Sequence, residues 1–240
     1  MAGHSKWSNI KHRKGRQDAK KGKIFTKISK EIFQAVRNGG DNTETNHALK
    51  TALDKARQAN MPNENIDRTI KKASGNLEGI NYEEIIYEGY APHGVAVYVE
   101  ALTENKNRTA AEVRLAFNKN GGNLGETGCV AFMFQRKGYL LFEKEQEIEE
   151  DDFMMEALEA GAEDAVFFED SVEVFVPAEE TQKTAQLLEV PGLRLETAEA
   201  AMIPDTKIAL TEEQLEEVMV LIEALEDSDD VQSVAHNASF

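Results

Sequence analysis

The chain is poor in the residues that would tie it to a membrane, a redox centre or a catalytic elbow. Its 240 residues include one cysteine, one tryptophan and five prolines, and aromatic residues make up 7%. The single thiol, Cys129, cannot close an internal disulfide. It lies in an apolar run with no neighbouring base and no metal-ligand spacing, so it reads as a buried, inert thiol in a reducing compartment. No apolar run approaches the roughly 18 residues of a membrane span. The opening Met1-Ala2-Gly3-His4-Ser5-Lys6-Trp7 lacks the apolar stretch of a secretion signal, so the N-terminus is expected to be retained and the compartment to be cytoplasm. The histidines (His4, His12, His47, His93 and His236) form no HExxH pattern, and no GxSxG elbow occurs. Nothing assembles a nucleophile with its base. The expectation is a protein that is not an enzyme and uses no cofactor and no metal.

Positive charge is also scarce over most of the length. Of 27 basic residues, 17 lie in the first 75 positions, where only seven acids occur, giving +10. The remaining residues hold 10 basic against 37 acidic side chains, giving −27. A chain of net charge −17 is ordinarily repelled by nucleic acid. A cationic end on an acidic body implies that one surface meets phosphates while the rest is held off.

Periodicity divides the chain. From Ile24, the residues Phe25, Ile28, Ile32 and Val36 recur at helical spacing until Gly39-Gly40. A second helix is expected after Asn42-Thr43, with Leu49, Ala52, Leu53 and Ala56 on one face. Pro62 opens a third, carrying Ile66, Ile70 and Ala73 and ended by Gly75. Beyond Tyr82 the period becomes that of strands. Residues 84–90 and 94–102 form a hairpin through Ala91-Pro92-His93-Gly94, a helix covers 107–120, and a strand follows from Cys129 to Phe134 with Phe132 and Phe134 inward. Thr211-Glu212-Glu213-Gln214 is a capping box opening a helix with Leu215, Val218, Met219, Ile222 and Leu225 inward, and Val231–His236 is a last strand. Between these pieces, residues 136–206 spell strand–helix–strand–strand–helix–strand, the ferredoxin-like order.

The predicted fold class is therefore α+β: an N-terminal helical domain followed by two α+β (ferredoxin-like) domains, the third inserted into the second. The expected boundaries are 1–78 for the basic arm and three helices, 82–135 with 207–240 for the second domain, and 136–206 for the acidic insertion.

The residues expected to meet nucleic acid are Lys6, Lys11, Arg13, Lys14, Arg16, Lys20, Lys21 and Lys23, interleaved with Trp7 and His12. Lysine and arginine neutralise phosphates and release counterions, and a tryptophan offers a ring on which an exposed base can stack. Arg68, Lys71 and Lys72 on the third helix join them; the same three would also complement a helix C-terminus. Helices two and three match a helix-turn-helix poorly, because the break carries Pro62. The loop Gly121-Gly122-Asn123-Leu124-Gly125 lacks the Gly-Lys-Ser/Thr ending of a phosphate loop and reads as a helix stop and mobile turn. Lys137-Gly138-Tyr139 begins like an RNA-recognition signature, but Leu140 and Leu141 break it. The run Glu143–Asp164 holds 11 acids and one base without calcium-loop spacing, so it reads as a solvated face.

Several of these segments resemble the YebC family. They are the opening seven residues, Gln17-Asp18-Ala19-Lys20, Gly22-Lys23-Ile24-Phe25, Met61-Pro62-Asn63, Tyr87-Glu88-Gly89-Tyr90, Asn107-Arg108-Thr109, the 121–125 loop and Met202-Ile203-Pro204. That family includes PmpR-type bacterial regulators and the mitochondrial translational activator of cytochrome oxidase. The resemblance implies three domains and a nucleic-acid-binding regulator of gene expression. One version is a ribosome-associated translation factor that contacts ribosomal RNA and assists synthesis of proline-rich stretches. The alternative is a transcriptional regulator bound to promoter DNA. No membrane partner is expected, and a monomer is. Many family members carry Gly-Pro-Gly-Gly where this chain has Ala91-Pro92-His93-Gly94.

Overall fold

The computed structural model describes residues 21–75, 81–188 and 190–239. These fall into two compact units. One comprises described residues up to 129 together with 217–234; the other comprises 130–216 with 235–239. The architecture is α+β, with an N-terminal helical region followed by sheet-containing segments.

The first unit opens with α1 (Lys21–Gly39), α2 (His47–Gln58) and α3 (Asn63–Ser74). The spacing read from the sequence is largely the buried stripe observed, with Phe25 and Ile70 only half-buried against it. Ile28, Ile32, Phe33 and Val36 of α1 pack with Leu49, Ala52, Leu53 and Ala56 of α2 and with Ile66 and Ala73 of α3. Helix α2 starts later than Asn42-Thr43 suggests. Residues 42–46 form a turn in which the Asn46 N–H donates to the Asn42 carbonyl (2.9 Å), and Asn46 caps the helix by accepting from the Leu49 N–H.

The same unit carries a sheet. Strand β1 (Glu83–Tyr90) pairs antiparallel with β2 (Ala96–Thr103), and the order is β3-β1-β2-β9, where β3 is Asn123–Leu124 and β9 is Val231–His236. The hairpin tip is a 3-10 turn over Pro92–Gly94, in which His93 takes φ +63° and Gly94 +75°. A left-handed φ favours glycine over a residue with a side chain. His93 instead places its Nε2 2.8 Å from Glu217 Oε2. Helix α4 (Lys106–Lys119) follows. The glycine loop after it is not simply a turn: β3 pairs with Gly89 and Tyr90 of β1. The approach is close enough that a Cβ on Gly122 would meet the Tyr90 carbonyl and Leu221 Cδ2 at 2.8 Å. Cys129 is half-buried rather than buried; burial, then Glu88, pushes its thiol pKa up, so it stays protonated at neutral pH.

In the second unit the strand expected over Cys129–Phe134 does not form. Ala131–Met133 is a 3-10 turn closed by the Met133 N–H on the Val130 carbonyl (2.9 Å), so the alternation of Phe132 and Phe134 is not a strand alternation. Phe134 is buried, but Phe132 is 75% exposed. Strand β4 runs unbroken through Phe134–Lys144, across the point where the insertion was expected to begin. Then come α5 (Glu150–Glu159), β5 (Asp164–Phe167), β6 (Ser171–Pro177), α6 (Thr181–Leu187) and β7 (Leu193–Pro204). The order β5-β6-β4-β7, antiparallel at every step, is the ferredoxin-like arrangement. Leu140, Phe142, Val172, Val174 and Val176 meet Phe153 and Ala157 of α5 on one face, while Tyr139, Leu141 and Phe175 fill the other. Glu150, Asp151 and Asp152 lie in the first turn of α5, where acids complement the helix dipole.

Gly138 of β4 has no room for a side chain, because a Cβ would run into Thr181 Oγ1 and Val176 Cγ2. Gly138→Ala is expected to destabilise this unit by about 1–3 kcal/mol through overpacking, measurable as a lowered urea midpoint.

The capping box forms as read. Thr211 N–H donates to Gln214 Oε1 (3.1 Å) and Gln214 N–H to Thr211 Oγ1 (3.3 Å), opening α7 (Glu212–Glu226). Leu215, Val218, Ile222 and Leu225 of α7 are buried as expected; Leu221 is buried with them, and Met219 is only half-buried. Strands β8 (Ile208–Ala209) and β10 (Ala238–Ser239) form a separate parallel pair.

Candidate nucleic-acid interface

Lys6, Trp7, Lys11, His12, Arg13, Lys14, Arg16 and Lys20 lie outside the described residues. Lys21 and Lys23, Arg68, Lys71 and Lys72 lie within them, on the first turn of α1 and along α3.

The lysines of α1 are less available than the charge count suggests. Lys23, Lys27 and Lys30 recur at i, i+4 and i+7, so they share one face of the helix. That face meets the C-terminal end of α7. Lys23 Nζ donates to the Asp227 carbonyl (3.0 Å) and pairs with its carboxylate (2.7 Å), Lys27 Nζ donates to the Glu226 carbonyl (2.7 Å), and Lys30 Nζ to the Asp229 carbonyl (2.8 Å). Helix α7 has no basic residue in its last turn and ends in acids, so α1 supplies the cations that its unpaired carbonyls and dipole require. Burial is the main cause lowering the Lys27 pKa, opposed by Glu226 and Asp229.

Asp230 anchors this contact. Its side chain is 3% exposed and accepts from Lys30 (2.5 Å), Arg108 (2.8 Å), Thr109 (2.8 Å) and Thr103 (3.1 Å). Burial raises its pKa, but the hydrogen bonds from Lys30, Arg108 and Thr109 outweigh that and hold it at about 2.

Next to this anchor α1 and α3 enclose a groove of about 300 Å³. Asn65, Arg68, Thr69 and Lys72 form one wall, spaced as a single face of α3. Phe25, Thr26, Ser29, Lys30 and Phe33 form the α1 wall, and Met61 and Tyr82 complete it. No carboxylate is among the lining residues. Tyr82 stands edge-on to Phe33, with ring centroids 5.5 Å apart and planes at 83°. Lys30 Nζ lies 5.8 Å from the Tyr82 centroid. Burial, then Glu104 and Asp230, raises the Tyr82 pKa, so its hydroxyl remains a donor at neutral pH. Arg68 is exposed and donates to Asn65 Oδ1 (3.0 Å), which orients the guanidinium along the helix. Lys71 is exposed but does not line the groove.

The structure thus brings Arg68 and Lys72 together with Lys30, Phe25 and Tyr82; the sequence reading does not name these last three as binding residues. Aromatic rings, hydroxyls and cations without acids form a surface able to take a planar ring together with its phosphate. Among the described residues no cluster of three or more histidine, cysteine, aspartate or glutamate side chains could hold a metal ion, and no helix is long and apolar enough to cross a membrane.

Residues 5–76 match the family described as "TACO1/YebC protein N-terminal domain", and residues 82–238 match "TACO1/YebC second and third domain". The chain belongs to the TACO1/YebC family. Among relatives, a "Probable transcriptional regulatory protein" of Geobacillus thermodenitrificans is 54% identical over 238 residues, covering 99% of this chain and 96% of the relative. The "Probable transcriptional regulatory protein YrbC" of Bacillus subtilis is 53% identical over 238 residues, covering 99% of this chain and 99% of the relative. The crystal structure of a conserved hypothetical protein, Aq1575 from Aquifex aeolicus, superposes with a TM-score of 0.79. It shares 46% identity over 92% of this chain and 91% of that one. Within the TACO1/YebC family, then, both halves of this chain are accounted for.

Proposed function

We propose that this TACO1/YebC-family chain is a ribosome-associated translation factor. Its arm and helical region contact ribosomal RNA, and it assists synthesis of difficult, proline-rich stretches. The observation that carries this reading is the split of charge, +10 over the first 75 residues against −27 over the rest. A narrow cationic element can enter a recess in a large RNA, whereas long duplex DNA running beside an acidic body is repelled by it. The contacts of α1 sharpen the argument: Lys23, Lys27 and Lys30 are engaged by α7 and its following loop. Among the described residues, Arg68, Lys71 and Lys72 of α3 are exposed, and on this reading the remaining phosphate contacts fall to Lys6, Lys11, Arg13, Lys14, Arg16 and Lys20.

Reversing charge at Lys11, Arg13 and Lys14 together is expected to abolish co-sedimentation with ribosomes. If about six phosphates are contacted, log affinity should fall against log salt with a slope of about −4 to −5, and the variant should flatten it. Unchanged sedimentation would end this reading.

The relatives' printed names favour a second reading, a DNA-binding transcriptional regulator. It requires a defined promoter footprint at physiological salt, and a mobility-shift assay showing no preference over scrambled competitor excludes it.

A further inference from the structure

We infer that the groove between α1 and α3 is a binding site for one unpaired nucleotide of an RNA strand, its base against the Phe25 and Tyr82 rings and its phosphate on Arg68 and Lys72. The inference rests on the nucleic-acid reading above and adds to it a pocket that distinguishes single strands from duplex.

Three observations point to this occupant. The first is shape: the cations of α3 line a concavity of about 300 Å³, at the lower end of ligand-sized sites. A helix that reads duplex DNA must instead project into the major groove, and a paired base inside a duplex cannot enter a recess. The second is charge. On a chain of net charge −17, no acid lines this groove. Lys30 is already balanced by Asp230 at 2.5 Å, which leaves Arg68 and Lys72, one helical turn apart, for an incoming phosphate. The third is the mixture of surfaces. Phe25 and Tyr82 are half-buried, so ring surface remains accessible, and Thr26, Ser29, Asn65 and Thr69 place polar groups around it. Stacking on aromatic side chains beside a cationic track is how single strands are held.

The test uses the full chain and fluorescence anisotropy at fixed salt. The probes are a labelled ten-nucleotide RNA of mixed sequence, the same strand annealed to its complement, and the same backbone made abasic. The wild-type chain is expected to bind the single strand about tenfold more tightly than either the duplex or the abasic strand. Arg68→Gln with Lys72→Gln should weaken single-strand binding about tenfold. A control pair removing two charges elsewhere on the helices, Arg37→Gln with Lys50→Gln, should stay within about twofold. Thr26→Trp, at an exposed rim position, changes no charge; filling the groove, it should reproduce the loss, with an unchanged circular dichroism spectrum. An abasic strand bound as tightly as the intact one overturns the inference, as does full single-strand binding by both the Arg68/Lys72 and Thr26 variants. If those variants bind like wild type while arm reversal still abolishes ribosome sedimentation, the groove fails and the translation reading stands. If wild type neither sediments with ribosomes nor binds the strand, both fail.

Discussion

Asp230→Ala is expected to destabilise the helix-bearing unit by about 3–5 kcal/mol, read as a large fall in the urea midpoint at neutral pH. The carboxylate is 3% exposed and holds Lys30, Arg108, Thr103 and Thr109 around it. Removing it strands the Lys30 ammonium, itself only 12% exposed, without its counter-charge. The same carboxylate makes stability depend on pH. Its folded pKa of about 2 lies below the ordinary 3.8, so the unfolded chain binds more protons between those values. Stability from this group is therefore complete above roughly pH 5 and lost as pH falls towards 2, by about 2 kcal/mol in all. Asp230→Asn should flatten that slope, and a slope equal to wild type would assign the acid sensitivity to other carboxylates. The consequence reaches function, because Asp230 positions Lys30, which lines the α1–α3 groove.

Asn46→Ala is expected to cost about 3 kcal/mol, measured by thermal or urea unfolding. Asn46 is 5% exposed and joins two helices with one side chain. Its Nδ2 donates to the carbonyls of Ala35 (2.8 Å) and Gly40 (2.7 Å), while its Oδ1 accepts from the Leu49 N–H (3.0 Å). Truncation leaves all three backbone groups without that partner and removes the cap of α2. Asn46→Asp separates the two roles. Aspartate is as good a cap as asparagine, but it cannot donate, and it would turn an oxygen towards two carbonyls. It should be about as unstable as the alanine variant; wild-type stability would mean that capping alone matters.

Much of this was legible in the sequence wherever the signal is local. The apolar spacing in α1, α2 and α3 gave their buried faces, since a helix repeats every 3.6 residues whatever surrounds it. The Thr211–Gln214 box and the strand–helix order of β4 to β7 were visible for the same reason. Phe132 and Phe134 show the limit. Two-residue spacing is equally compatible with a strand and with the 3-10 turn over Ala131–Met133, and only backbone pairing separates them.

The sequence by itself determined the helical and strand periods, the capping of α7, the family and the concentration of positive charge at one end. Each is a property of neighbouring residues or of a sum over them. Only the tertiary structure decided which cations are occupied. Lys23, Lys27 and Lys30 meet acceptors about 200 residues further along the chain, and no local period encodes such a partner. It also decided that Phe25, Arg68, Lys72 and Tyr82 share one groove, because a concavity exists only where the packed α1 and α3 leave a gap that their side chains do not fill.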